Sequence, residues 1–173
     1  MSISGKAVVY GDDISTDLIY PGRYTYQLLT EDQMAEHALE DLDPQFRERD
    51  VAGCILVAGV NFGCGSAREQ AVKCLKRKGV AAVVAKSISR IFYRNCINEG
   101  LLPIVCPEAV DAIADGDELD LDIENGVLTG ASGKTFAFAQ FPEFVQGILR
   151  GGGLIPGVRR EVAAQRENRG ELH

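Results

Sequence analysis

The stretch Asn61 to Gln70, NFGCGSAREQ, gathers a thiol (Cys64), a hydroxyl (Ser66) and a guanidinium (Arg68) around two glycines, Gly63 and Gly65. The apolar run GCILVAGV, Gly53 to Val60, leads into it, and a helix-like segment follows from Ala67. Strand, tight turn and helix start, in that order, aim free backbone N–H groups and the positive end of a helix dipole at one spot. A small anion would meet there both a receptor and, in Ser66, a candidate base. The loop is neither GxxxxGK[ST] nor GxGxxG, so it is not one of the dedicated phosphate loops. On the residues alone, an anion site and a purely structural turn both stand. The order Ser66, Ala67, Arg68 favours the first, because a helix N-terminus with an arginine is a strong carboxylate receptor.

Upstream, GDDISTD places Asp12, Asp13 and Asp17 ahead of Pro21, Gly22 and Arg23. Such an acidic turn is either solvated or, through Asp17, faces the glycine loop to orient an arginine or share a proton network. Cys64 is either a small filler of the turn or a thiolate activated by a helix N-terminus, and the filler is the expectation. His37 has no second ligand at metal spacing and is read as a packing or surface residue. Arg90, Tyr93 and Arg94 open a later helix and are read as interface or salt-bridge residues, on a face whose function stays open.

These groups need a scaffold. An opening strand is expected over Lys6 to Tyr10, then irregular chain from Ile19 to Tyr26 around Pro21-Gly22. Thr30 N-caps a helix from Glu31 to about Asp41, with Gln33 closing a capping box. After the strand Cys54–Ala58 and the glycine loop comes a helix from Ala67 to Lys78, ended by Gly79. The run Val80 to Ala85, a helix from Arg90 to Glu99 capped by Ser89, and a strand from Leu101 to Val105 complete the series. Apolar runs without alternation are buried parallel strands, joined by right-handed crossovers. A short helix from Pro107 to Ala114 then precedes short strands at Glu118–Ile123, Val127–Leu128 and Thr135–Ala139, and a last helix from Phe141 to Arg150. The fold class is α/β with a parallel βαβαβ core. One domain is expected over residues 1–155, with a polar C-terminal tail over 156–173 that frays or docks on a partner.

Composition narrows the function. With 173 residues and 46% apolar content, the chain suits one domain with a sizeable core. A net charge of −7 disfavours nucleic acid as a partner, and KCLKRKG reads as the cationic end of a helix. The opening MSISGKAVVYGDD lacks the pattern of a signal peptide, and no segment approaches the roughly 18 apolar residues of a membrane span, so a cytoplasmic protein is expected. The five cysteines are odd in number and widely spaced, which argues against a disulfide framework. None forms CxxC and only two histidines exist, so a complete zinc or iron–sulfur site is not expected within this chain.

Three segments, GDDISTDLIYPGRY, NFGCGSAREQA and AVVAKSISRIFYRNCINEGLLPI, resemble in this order the small subunits of 3-isopropylmalate dehydratases. More broadly they are similar to the mobile C-terminal domain of the aconitase superfamily, over residues 4–155. The resemblance implies a swivelling three-layer β/β/α domain that docks on a separate large subunit. That subunit would carry a [4Fe–4S] cluster on its own cysteines, so the metal is supplied in trans and the active site lies between the two chains. The base of the family's GxGS(S/A)RE motif falls on Ser66. It would remove the proton next to a substrate carboxylate while the cluster's open iron takes the leaving hydroxyl as a Lewis acid. A serine hydroxyl needs a stabilised alkoxide for this, which Arg68 and the loop N–H groups would provide.

By the same resemblance Asp17 is the supporting acid, Arg68 also holds a substrate carboxylate, and Gly65, Arg23 and Tyr26 complete the substrate-binding set. Dehydration and rehydration would interconvert two hydroxy-acid isomers, with leucine biosynthesis as the expected setting. One position departs from the pattern. Where leucine-pathway enzymes carry an arginine in the loop after PGRY, as in YLRT, this chain has Tyr26. A tyrosine packs or hydrogen-bonds but does not pair with a carboxylate. Homoaconitate-, methylmalate- or 2,3-dimethylmalate-type substrates are therefore the alternative, and a non-catalytic anion-binding module is the alternative outside enzymes.

Overall fold

The computed structural model describes residues 2–66, 68–159 and 162–163. Its strands are β1 (Ser2–Val9), β2 (Ile55–Ala58), β3 (Ala82–Ala85), β4 (Leu102–Val105), β5 (Glu118–Asp122), β6 (Val127–Thr129) and β7 (Thr135–Ala137). The helices are α1 (Thr16–Ile19), α2 (Glu31–Ala35), α3 (Glu69–Lys78), α4 (Arg90–Glu99), α5 (Pro107–Val110) and α6 (Glu143–Arg150), with a 3₁₀ turn at Gly22–Tyr24. The seven strands run in the order β4-β3-β2-β1-β5-β6-β7. From β1 to β4 the pairing is parallel, with Ala7 opposite Ile55, Ile55 opposite Ala82 and Ala82 opposite Leu102. The expected βαβαβ core is this half.

β1 joins two sheets. Its last residues pair with β2, while Ser2 to Lys6 run antiparallel to β5, and β5, β6 and β7 form a meander. Every residue of β2 and β3 is buried, as their unbroken apolar runs require. Alternate side chains feed two cores. Leu56, Ala58, Val83 and Ala85 pack with Val72 and Leu75 of α3 and Phe92 and Cys96 of α4. On the other face, Ile55, Val57, Val84 and Ile104 pack with Leu119, Leu121, Leu128 and Phe136 of the antiparallel strands. Helices, parallel sheet and antiparallel sheet are thus three layers, which places the carboxyl ends of β2 and β3 beside the N-terminus of α4.

The boundaries differ from the sequence reading where tertiary contacts compete with local preference. The capping box of Thr30 and Gln33 forms, yet α2 ends at Ala35 instead of near Asp41. Leu39 is fully buried, takes φ +59°, and donates its N–H to the Ile19 carbonyl at 2.8 Å. Burying Leu39 against α1 outweighs continuing the helix. β1 begins at Ser2, four residues before the expected Lys6, because pairing with β5 orders a half-exposed segment that has no apolar run. α3 starts at Glu69, α5 stops at Val110 and α6 starts at Glu143 after Pro142. Residues 154–159 are helical; residues 160–161 and 164–173 of the expected tail lie outside the described residues.

Candidate active site

The glycine loop leaves the carboxyl end of β2 and is pinned from two sides. Asp12 accepts the Val60 N–H at 2.8 Å, and Asp13 accepts from the Asn61 side-chain amide at 2.8 Å. These two carboxylates therefore serve the turn. Next, the Gly63 N–H donates to the Ile14 carbonyl and the Thr16 N–H to the Cys64 carbonyl, both at 2.7 Å. Ser89, the N-cap of α4, donates its hydroxyl to the Gly63 carbonyl at 2.6 Å. Phe62 is fully buried and meets Phe92 edge to face, ring centres 5.4 Å apart.

Gly63 sits at φ +72°, and a Cβ there would lie 2.2 Å from Cγ of Phe92. Gly63→Ala is expected to destabilise the fold by about 3 kcal/mol, combining left-handed strain with overpacking. Denaturant unfolding checks this; a midpoint within error of the parent would contradict the close approach.

Arg68 organises the centre of the site. Its Nε donates to Ser66 Oγ at 2.8 Å, Nη1 to Thr25 Oγ1 at 2.7 Å and Nη2 to Asp17 Oδ1 at 2.5 Å. The Arg68 side chain is only 13% exposed, whereas Asp17 is 65% exposed and reaches in from solvent. Of the two readings of the acidic turn, the geometry selects Asp17 facing the glycine loop. One N–H remains on each terminal nitrogen of Arg68, enough to receive a ligand carboxylate. The main chain differs from expectation. Because α3 starts at Glu69 with Arg68 as its N-cap, Ser66 precedes the first helical turn, and the Arg68 N–H donates to the Ser66 carbonyl at 2.8 Å. Among the described residues, the N–H groups of Gly65 and Ser66 have no protein partner, so they are the backbone donors left for an oxyanion.

Arg23 is not brought to Ser66. It pairs with Glu40 and with Asp41, the latter at 2.7 and 2.9 Å, and its guanidinium lies 4.9 Å from the centre of the Tyr24 ring. Tyr24 stacks on His37 with ring centres 3.8 Å apart and donates its hydroxyl to Glu40 at 2.8 Å. His37 is thereby a packing residue, as expected. This clamp fixes the base of a loop whose tip, Tyr26 and Leu28, is almost wholly exposed. Thr25, on the same loop, reaches Arg68. No signal in the sequence marked Thr25, whose contact spans 43 positions.

The clamp has a pH signature. Burial pushes Glu40 upward, but hydrogen bonds from His37, Tyr24 and Arg23 outweigh it and hold Glu40 below 4.5. The hydrogen bond from Arg23 holds Asp41 below 3.8. Folded values below the ordinary ones mean that the stabilisation is complete above those ordinary values and is lost as pH falls through the lowered ones. Amide exchange of residues 22–27 should show unchanged protection from about pH 7 to 5 and loss below about pH 4. Loosening already near pH 6 would contradict the clamp.

Two clefts meet at the loop. One, of about 560 Å³, is lined by Thr16, Gly65, Ser66, Arg68 and the first turns of α4, including Arg90 and Arg94. The other, of about 430 Å³, is lined by Asp17, Gly22, Thr25, Tyr26, Ser66 and Arg68. Ser66 and Arg68 border both. Burial pushes the Cys54 thiol up to about 11 and raises Cys74, Cys96 and Cys106 as well, which makes them inert. Cys64 is partly exposed in the first cleft, with its carbonyl bonded to Thr16. Among the described residues, no three His, Cys, Asp or Glu side chains converge into a metal-ligand set. Within the described residues there is thus no ligand set that fits an iron–sulfur cluster.

Comparison with known proteins agrees with this architecture. The Aconitase C-terminal domain family matches residues 12–109. A 3-isopropylmalate dehydratase small subunit from Caldicellulosiruptor bescii is 50% identical over 94% of this chain and 98% of its own length. A 2,3-dimethylmalate dehydratase small subunit from Eubacterium barkeri is 46% identical over 90% of this chain and 95% of its own. The crystal structure of 3-isopropylmalate dehydratase from Methanocaldococcus jannaschii superposes with a TM-score of 0.88 at 38% identity, covering 97% of this chain and 99% of that one.

Proposed function

The chain belongs to the aconitase family, among its dehydratase small subunits, and from that premise we propose that it serves a hydro-lyase that isomerises 3-isopropylmalate and 2-isopropylmalate. The observation that carries the site assignment is the Arg68 Nε–H donated to Ser66 Oγ at 2.8 Å. A guanidinium in that position lowers the cost of a serine alkoxide, and the free N–H groups of Gly65 and Ser66 add to it. Asp17 keeps the guanidinium in place and buffers its charge.

In this reading Ser66 Oγ takes the proton from the carbon next to a carboxylate. The released electron pair forms the double bond as hydroxide leaves the neighbouring carbon. Re-addition of hydroxide to the carbon that lost the proton, while Ser66 returns its proton to the other carbon, gives the isomer and restores the alkoxide. Arg68 holds a substrate carboxylate through its two remaining N–H groups. The relatives' designation as small subunits supports a large-subunit partner, and we place the [4Fe–4S] cluster there, on that subunit's own ligands. A cytoplasmic setting accords with five free cysteines, four of them buried.

Tyr26 favours a second reading of the substrate. It is 97% exposed on the wall of the 430 Å³ cleft, where it offers a ring and a hydroxyl in place of a guanidinium. A less polar group on the substrate, as in a 2,3-dimethylmalate-type acid, would suit that wall. Anaerobic affinity purification of the chain with its partner, followed by absorbance assays of the unsaturated product on a panel of hydroxy dicarboxylates, separates the two. Isopropylmalate turnover supports the first reading, and turnover confined to another hydroxy acid makes the loop around Tyr26 the specificity change. Failure to recover an iron-containing partner would sink the two-subunit proposal.

A further inference from the structure

The clamp on the Tyr24 loop is built more heavily than its exposed tip requires. The Glu40 carboxylate gathers three donors: His37 Nδ1 at 2.6 Å, the Tyr24 hydroxyl at 2.8 Å and the Arg23 guanidinium. His37 also covers one face of the Tyr24 ring, 18° from parallel, and the fully buried Tyr20 ring lies 6.0 Å from the same ring. Yet Tyr26 and Leu28, the tip that this holds, stand in solvent. The residue that gains a fixed position is Thr25. It follows Tyr24 directly and closes the 3₁₀ turn, its N–H on the Gly22 carbonyl at 3.1 Å. Its Oγ1 accepts Nη1–H of Arg68 at 2.7 Å.

Arg68 needs such an anchor. Its contacts with Ser66 and Asp17 are open to water, and the contact with Thr25 is the half-buried one. Exposed partners turn to solvent at little cost, so the Thr25 hydroxyl is what fixes the roll of the guanidinium plane. Being neutral, it does so without drawing positive charge away from Ser66. We propose that His37 and Glu40 are positioning residues of the active site: they hold Thr25 through Tyr24, and so set the direction in which Arg68 aims Nε at Ser66. Neither lines either cleft, so both act only through other side chains. The inference rests on the reading of Arg68 as the support of a Ser66 alkoxide. Misplacing a reacting group by about 1 Å costs up to ~10²-fold in rate, which gives a remote clamp its leverage.

The test is a double-mutant cycle in the assembled two-subunit enzyme, with His37→Ala, Thr25→Val and the two combined. Each single variant is expected to lower kcat about tenfold. The combined variant should lose no more than Thr25→Val alone, because the path is already cut at Thr25. Thr25→Ser, which keeps the hydroxyl, should restore most of what Thr25→Val loses. Where His37→Ala does not assemble, Glu40→Gln takes its place in the cycle. Losses that multiply to about a hundredfold overturn the proposal, since they show two independent effects. So does a His37→Ala enzyme with the parent's kcat well below its melting temperature, which is what a merely structural histidine would give.

If the assembly turns over no dicarboxylate, the parent reading fails, and the positioning is judged on the isotope-labelled chain by itself. Exchange of the Arg68 Nε–H with water, followed by nitrogen–proton NMR, should then quicken severalfold in His37→Ala and in Thr25→Val, and no further in the pair. An exchange rate in His37→Ala equal to the parent's overturns the proposal, whatever the role of Ser66.

Discussion

Replacing Ser66 with alanine is expected to cut turnover by the assembled enzyme about 10³-fold or more while leaving the complex intact. The side chain is exposed and borders both clefts, so its removal opens no core cavity. Its hydrogen-bond partner, Arg68 Nε, can turn to water or ligand, which keeps the structural cost small. The loss therefore falls on the proton transfer itself. Steady-state kinetics with size-exclusion analysis checks both halves. Activity above a few per cent of the parent in an intact complex would remove Ser66 as the base (~10²-fold is the low end for a general base).

Arg68→Lys is expected to lower kcat about 10²-fold and to raise KM as well. One guanidinium holds Ser66, Thr25 and Asp17 through three different nitrogens, at 2.8, 2.7 and 2.5 Å. A lysine ammonium is a single point that reaches one or two of these and lacks the planar fork for a carboxylate. Losing the Nε contact removes the donor that, in the proposed mechanism, stabilises a Ser66 alkoxide. Losing the Thr25 contact uncouples the loop ahead of Tyr26 from the glycine turn, so amide exchange over residues 24–28 should accelerate in the same variant. Parent-like kinetics would show that charge alone, not the fork, is what the site requires. The sign of the loop effect also separates Arg68 from the Arg23 clamp, whose release needs acid.

Much of the architecture was legible because it is written in local chemistry. Thr30 with Gln33, Ser89 as an N-cap, and Gly79 and Gly100 in the left-handed conformation mark helix ends through the hydrogen bonds of a few adjacent residues. The unbroken apolar runs of β2 and β3 announced strands buried on both faces, and the parallel core followed. The NFGCGSARE loop and its candidate residues Ser66 and Arg68 were legible for the same reason, since loop, glycines and reactive groups are contiguous.

What the tertiary structure alone decided depends on register between distant segments. Asp17 meets Arg68 across 51 positions and Thr25 meets it across 43, contacts that no local pattern encodes. Arg23 read as a partner for the substrate, yet the turn of the chain at Leu39 brings Glu40 and Asp41 to it first. Thr16 looked like an ordinary residue of an acidic turn until its carbonyl-bonded backbone and buried hydroxyl placed it in the cleft. The sequence by itself determined which residues could do acid–base chemistry and the strands and helices that carry them, because periodicity and capping act within a few residues. Only the packing of α1, α4 and the glycine loop determined which of those residues face one another, because that depends on the burial of side chains far apart in the chain.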